Sequence, residues 1–314
     1  MKKIPLIAFL LILGFSKIIF AMEMHIVGNG DSFCSRQIYL VGEIKSNDAT
    51  KIISSITNTK KMFKTDGCKI GGSISLDSIG GDVDNALQLG RYFKAQKMFV
   101  EVSVGHPIFT KDKFDVDVKN PGICYSSCVF LLAGGVHRSV LTGLSEVGIH
   151  RPYFSDLEGS PSAGQVKVMR DKMIQKIRVY LDDMDINPAL SEDMMSIPPN
   201  QIKILSEQEL SKYRLNVGDA NFEESSTAKN AHFYNLTMSE YRQRVAVAEQ
   251  KCGTIPSART GDLTLYLNCK TGVMLNISQA ELQKRTEKSN RMCQSNLPEE
   301  EARNCAKKIF VLGQ

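Results

Sequence analysis

Ser73-Ile74-Ser75-Leu76-Asp77-Ser78-Ile79-Gly80-Gly81 is a short β-prone run that stops in a double glycine. Residues 72–76 predict a strand, and Asp77 to Gly81 the turn that ends it. Directly after it, Val83, Ala86, Leu87, Leu89 and Phe93 recur at the spacing of a helix buried on one face, which predicts a helix over 83–96. Residues 99–104 then read as another strand. Upstream, Ile52, Ile53 and Ile56 mark an amphipathic helix over 48–63, and Gln-Ile-Tyr-Leu-Val-Gly-Glu-Ile at 37–44 is a β-branched strand. Strand, helix, strand, helix, strand is the pattern of an α/β fold with parallel pairing.

Further along, the polar stretch 110–120 predicts a loop. Cys124-Tyr125-Ser126-Ser127-Cys128 runs into Val129-Phe130-Leu131-Leu132-Ala133, a strand-to-helix junction with serines at the helix start. Short strands are expected at 140–141 and 147–150, and a long amphipathic helix over 164–184. After the Pro198-Pro199 break, Ser206 and Glu209 form a capping-box pair that opens a helix over 206–213. From about residue 220 the polar composition predicts a linker. Helices follow at 237–251 and 279–290, with a strand-like 263–267 between them. The organisation expected is a domain over 22–222 and a small cysteine-rich α+β module over 223–314.

The N-terminus bears on the compartment. Lys2-Lys3 precedes an apolar run from Ile4 to Phe15, closed by Ser16-Lys17, and Ala21 can stand before a cleavage site. This predicts a secretory signal peptide over residues 1–21 and an exported, periplasmic protein. The run falls short of the ~20 residues that span a bilayer; an uncleaved N-terminal anchor is the less favoured alternative. The 314 residues carry 39 Lys plus Arg against 34 Asp plus Glu, a net +5. Without Lys2, Lys3 and Lys17 the balance is 36 to 34, or +2, which gives no support to a nucleic-acid partner. Tryptophan is absent, which argues against an aromatic carbohydrate-binding or base-stacking surface.

All eight cysteines, Cys34, Cys68, Cys124, Cys128, Cys252, Cys269, Cys293 and Cys305, follow the expected signal. An even number in an oxidising compartment predicts disulfides. No Cys-x-x-Cys pair occurs and the histidines do not cluster with the cysteines, so no metal or cofactor is expected. Cys34 with Cys68, and Cys124 with Cys128, are the pairings expected, leaving the last four to staple a C-terminal module.

Few residues can carry chemistry. The Gly80-Gly81 turn lets backbone amides face a small concave space. Ser126 and Ser127 open a helix, where free amides favour a developing anion. His150 closes a short strand. A serine needs a base at neutral pH, and acyl transfer needs two donors for its oxyanion. Ser127 competes with Ser126 for the nucleophile role. Cys128 as a thiolate nucleophile fits poorly with an oxidising compartment.

Residues 36–218 resemble the Clp protease proteolytic subunit and the wider Clp/crotonase superfamily, in its exported ClpP-like branch. Leu40-Val41-Gly42-Glu43-Ile44 matches that family's opening strand, and Ser75-Leu76-Asp77-Ser78-Ile79-Gly80-Gly81 its oxyanion turn, with Ile79 where the family commonly has proline. Ser126-Ser127-Cys128-Val129-Phe130-Leu131-Leu132 corresponds to the nucleophile segment, and Val147-Gly148-Ile149-His150-Arg151-Pro152 to the catalytic-histidine segment. Leu205-Ser206-Glu207-Gln208-Glu209-Leu210 and Tyr213-Arg214-Leu215 resemble the closing helix. The resemblance implies a ClpP/crotonase-like spiral of βα units. It implies Ser126 as nucleophile, His150 as base, and the amides of Gly81 and Ser127 as oxyanion hole.

One position departs from the family. Its triad aspartate falls on Ile202, flanked by Gln201 and Lys203, which leaves Asn200 or Asp193 as candidates to orient His150. Two functions are therefore carried forward. The first is an exported serine hydrolase, a peptidase acting on peptide or protein. The second is a non-catalytic ClpP-like scaffold that binds a peptide or partner. The resemblance implies a homo-oligomer. No ATP-binding motif is present, and no ATP-dependent unfoldase is expected as a partner outside the cytoplasm.

Overall fold

The computed structural model describes residues 21–28, 36–65, 70–110, 113–153, 162–253, 263–293 and 299–313. The chain divides into two compact units, the first ending at Asp219 and the second beginning at Ala220. The first is mixed α/β. Its elements are β1 (Glu23–Gly28), β2 (Arg36–Ile44), α1 (Asp48–Thr65), β3 (Ile70–Gly81), α2 (Val83–Ala95), β4 (Phe99–Val102), β5 (His106–Phe109), β6 (Phe114–Asp117), β7 (Gly122–Tyr125) and α3 (Cys128–Ala133). They continue with β8 (His137–Ser139), β9 (Ser145–Ile149), α4 (Ala163–Asp183), α5 (Ala189–Ser196), β10 (Lys203–Ile204) and α6 (Glu207–Tyr213).

The main sheet is largely parallel. β3 pairs in parallel with β2 and β4, β4 with β8, and β7 with β9; β1 and β10 join antiparallel at β2 and β9. β3 is the pivot: Ser73 to Leu76 lie against β4, while Ser78, nearer its end, pairs with Cys124 of β7. Alternate strand residues (Ile38, Leu40, Ile74, Leu76, Val100, Val102, Val147, Ile149) enter one core with Ile52 and Ile56 of α1, Leu89 and Phe93 of α2, and Phe130 of α3. Every residue of α3 is buried, which is why its sequence lacks a polar face.

A buried guanidinium ties the far side of this unit together. Arg138 donates from Nε to the carbonyls of Ala133 and Gly135 at 3.2 and 3.0 Å. Its Nη1 and Nη2 donate to Arg214 and Met184, each at 2.7 Å. The capping box at Ser206 forms as expected: Glu209 N donates to Ser206 Oγ at 3.3 Å and Ser206 N to Glu209 Oε2 at 2.9 Å.

Four local expectations are corrected. The expected loop 110–120 contains β6, which forms a hairpin with β5 in which Phe109 faces Phe114, and Phe109 stacks on His25. The stretch carries a strand signal that the loop reading passed over, the apolar–polar alternation of Phe114-Asp115-Val116-Asp117-Val118; the aromatic cluster that supports it is non-local. The short strand expected at 140–141 lies instead at His137–Ser139, because Arg138 and its neighbours pair with β4 while Val140 N donates to Asn216 Oδ1 at 2.8 Å. The polar stretch after 220 is helical: α7 (Ala220–Phe233) holds neither glycine nor proline, so nothing stops the helix. The strand-like 263–267 is the start of α9 (Leu263–Leu275). Five residues of alternation cannot distinguish strand from helix, and leucine is a strong helix former.

The second unit is therefore helical throughout its described residues. α7 is followed by α8 (Met238–Cys252), α9, α10 (Gln279–Met292) and α11 (Glu299–Ala306), and a π-helical turn over Lys307–Val311. The α+β module expected here is not what forms. Disulfides join Cys252 to Cys269 and Cys293 to Cys305, tying α8 to α9 and the end of α10 to α11. Together with Cys124–Cys128 in the first unit, these bonds fit an oxidising, extracellular compartment. Cys34, Cys68 and all of the expected signal peptide before Ala21 lie outside the described residues. Among the described residues, no helix is long and apolar enough to cross a membrane.

Candidate active site

β3, β7 and β9 are parallel neighbours, and the three elements singled out from sequence each stand at one of their C-terminal ends. Gly80-Gly81 ends β3, Ser126-Ser127 follows β7, and His150 follows β9. The carboxyl ends of parallel strands are where α/β proteins place their sites, since loops and helix starts converge there.

The Gly80 turn packs directly on the serines. Gly80 has φ +93°, and a Cβ there would stand 2.7 Å from Ser126 Cβ, 2.9 Å from Ser127 N and 2.6 Å from the Tyr125 carbonyl oxygen. Only glycine leaves this space open. Gly81, at φ +136°, is held against Ile44 of β2. The sequence marked the pair as a turn; the structure packs Gly80 against both serines and holds Gly81 against Ile44.

Ser126 occupies the left-handed region at φ +56°, which a non-glycine residue adopts only when its surroundings impose it. Its amide donates to the Gly148 carbonyl at 2.9 Å, and its carbonyl accepts from Val129 N at 3.2 Å, so the residue is held on both sides. Its side chain takes part in no hydrogen bond among the described residues. Ser127 differs. It is 2% exposed, and its hydroxyl donates to the Gly81 carbonyl at 3.0 Å. The hydroxyl of Ser127 is thus spent on the glycine turn, whereas that of Ser126 has no partner among the described residues. Ser127 N has no backbone acceptor among the described residues.

His150 is 7% exposed. Its Nδ1 lies 2.9 Å from the Arg151 carbonyl oxygen. A carbonyl only accepts, so Nδ1 is the donor, and in the neutral imidazole that leaves the lone pair on Nε2. Arg151 is itself fixed by donation from its amide to the Ile197 carbonyl at 3.0 Å. No hydrogen bond joins Ser126 Oγ to His150 among the described residues.

Neither candidate for the orienting role reaches the histidine. Asp193 accepts from the Tyr213 hydroxyl and from Lys212 Nζ at 3.5 Å, and the Tyr213 contact helps hold its carboxyl below the usual carboxylate range. Asn200 is exposed in the turn after Pro199 and makes no hydrogen bond among the described residues. Ile202, 48% exposed, packs with a methyl carbon 2.5 Å from where a Gly148 Cβ would stand.

Beside the serines lie titratable groups that the sequence reading did not use. Tyr125 donates to Glu146, and burial together with that carboxylate pushes its hydroxyl far above the ordinary tyrosine range. Asp77, 3% exposed, accepts from Ile123 N at 2.8 Å and meets His106 Nδ1 at 2.7 Å. Burial raises its pKa, and the Ile123 amide and His106 partly reverse that. Period-2 alternation would have found these groups: Ile123 and Tyr125 on β7, and Glu146 and Gly148 on β9, point away from the core positions Cys124 and Val147.

No protein-family model matches the chain, and no curated protein matches it.

Proposed function

We propose that the chain is an exported serine hydrolase, a peptidase of ClpP-like type. The observation that carries this reading is the convergence of the Gly80-Gly81 turn, a left-handed Ser126 and His150 on the ends of three adjacent parallel strands. Ser126 Oγ attacks the acyl carbonyl of a peptide and gives its proton to Nε2 of His150. The amides of Gly81 and Ser127 receive the oxyanion. His150 then protonates the leaving amine, and water admitted on the same side hydrolyses the acyl-enzyme. The Arg151 carbonyl, rather than a carboxylate, fixes the tautomer that makes Nε2 the base.

The rest of the sequence reading belongs to the same proposal: a ClpP/crotonase-like spiral for the first unit, residues 1–21 as a signal peptide to the periplasm, and self-association. A second reading is supported by Ile202 at the place of the family's acid and by the absence of a Ser126–His150 hydrogen bond among the described residues. In it the cleft binds a peptide without cleaving it. Fluorophosphonate labelling of the folded, oxidised protein separates the two. Labelling of wild-type and Ser127→Ala protein that is lost in Ser126→Ala supports the hydrolase, and no labelling of folded wild-type protein removes it.

A further inference from the structure

Two of the eight cysteines flank the candidate nucleophile, and they are bonded to each other. Cys124 is the third residue of β7, paired with Ser78 on one side and Val147 on the other. Cys128 is the first residue of α3. Both are fully buried, and the disulfide between them closes a ring over Tyr125, Ser126 and Ser127, with Cα atoms 5.2 Å apart. Ser126, in the middle of that ring, has φ +56°.

These facts bear on one another. Serine has neither glycine's freedom nor the local side-chain bonding that lets asparagine and aspartate take the left-handed region. A chain free to relax at this point would continue the strand or start the helix one residue earlier, and either change would move Ser126 out of its contact with Gly80. Hydrogen bonds hold Ser126 through its amide and its carbonyl. The disulfide adds a covalent limit on how far the strand end and the helix start can separate or rotate.

We propose that Cys124 and Cys128 are positioning residues for Ser126, and that the site assembles only when they are oxidised. The reduced chain is then latent, and oxidation completes it. The step balances as thiol–disulfide exchange. The thiolate of one cysteine attacks a small disulfide oxidant and releases one thiol; the second cysteine thiolate displaces the other. Cys124 and Cys128 lose two electrons and two protons together, and the oxidant leaves as two thiols. Because both sulfurs are buried, an attacking thiolate has no direct approach to the finished bond. The bond therefore acts as a maturation lock rather than a reversible switch. This inference rests on the hydrolase reading for its catalytic consequence, but not for its conformational one.

The test compares oxidised wild-type protein with Cys124→Ala/Cys128→Ala and with Cys252→Ala/Cys269→Ala, all well below their unfolding temperatures. Two quantities are read: the rate of fluorophosphonate labelling and hydrogen exchange at the Ser126 amide. A misplacement of about 1 Å costs on the order of 100-fold in rate, so the first variant should label about 100-fold more slowly and exchange faster at Ser126. The second should match wild type in both. Equal labelling by the first variant and wild type overturns the proposal, even if that variant is less stable. If wild-type protein does not label, the hydrolase reading falls, and Ser126 exchange alone decides the positioning role: unchanged exchange overturns it. If the first variant does not fold, wild-type protein is reduced in denaturant and refolded with a limiting amount of a disulfide oxidant, and the thiols that remain are alkylated. Labelling should then rise in step with oxidation of Cys124; a rise that follows Cys252 or Cys293 instead overturns the proposal.

Discussion

Ile202 packs over Gly148: its Cγ2 lies 2.5 Å from where a Cβ on Gly148 would stand. Lys203 pairs with Ile149 and Ile204 with Gly148, and the antiparallel ladder ends there, one residue short of both Ile202 and His150. The resemblance read from the sequence implies an orienting acid at residue 202, and the side chain there can accept neither a proton nor a hydrogen bond.

Restoring the acid is the sharpest test of that geometry. Ile202→Asp should speed fluorophosphonate labelling by about 100-fold, within the ~10⁴ attributed to the aspartate of a conventional triad. A carboxylate beside His150 favours its charged form, so the acid limb of the pH–rate profile should move to higher pH. An unchanged rate and profile would show that residue 202 does not act on His150.

Gly80→Ala should abolish labelling and lower the unfolding temperature. The added methyl would meet the Tyr125 carbonyl oxygen at 2.6 Å and Ser127 N at 2.9 Å, contacts that only a backbone shift can relieve. The positive φ adds strain of about 1–3 kcal/mol. Thermal unfolding and probe labelling of one preparation check both effects.

The buried Asp77 carboxyl makes stability depend on pH in a defined direction. Its pKa in the folded state is raised, chiefly by burial, so between its ordinary value and the raised one the folded protein holds a proton that the unfolded chain has lost. Stability from this group falls as pH rises through that window. Asp77→Asn keeps an acceptor for Ile123 N and removes the charge. Relative to wild type it should therefore gain stability in urea unfolding as pH rises above the ordinary aspartate range, and a difference that stays constant with pH would count against the argument.

Glu209 gives the opposite sign. Lys203 and the capping box lower its pKa to about 2. Its contribution is complete above the ordinary glutamate range and is lost as pH falls toward 2. Ser206→Ala, which removes the N-cap of α6, should cost about 1 kcal/mol at neutral pH, and Glu209→Gln should lose the pH-dependent part alone. Denaturant unfolding at pH 7 and pH 3 separates the two.

What could be read from sequence was what local pattern encodes. The helices α1, α2 and α4, the capping box at Ser206 and the Cys124–Cys128 pair all follow from spacing within a few residues. The β5–β6 hairpin was missed although Phe114, Val116 and Val118 alternate with aspartates; the charge of the stretch masked a pattern of only five residues, and its support is the contact of Phe109 and Phe114 with His25 and Tyr39 far away in the chain. The candidate site was legible as residue types, Gly-Gly, Ser-Ser and His. The resemblance already favoured Ser126 over Ser127; the bond from Ser127 Oγ to the Gly81 carbonyl, which no sequence pattern contains, gives that preference a physical reason. The part played by the Arg151 carbonyl was invisible for the same reason: every residue has one, and only the backbone path brings it to Nδ1.

The four carbonyls on Arg138 have a consequence for how the first unit comes apart. They belong to the end of α3, the turn before β8, the residue closing α4 and the left-handed residue closing α6. No one of these segments can leave without stranding a charged group in the interior, so none should open alone. Amide protons from the last turns of α4 and α6, about 30 residues apart in the chain, should exchange with solvent through the same rare opening event and share one protection factor.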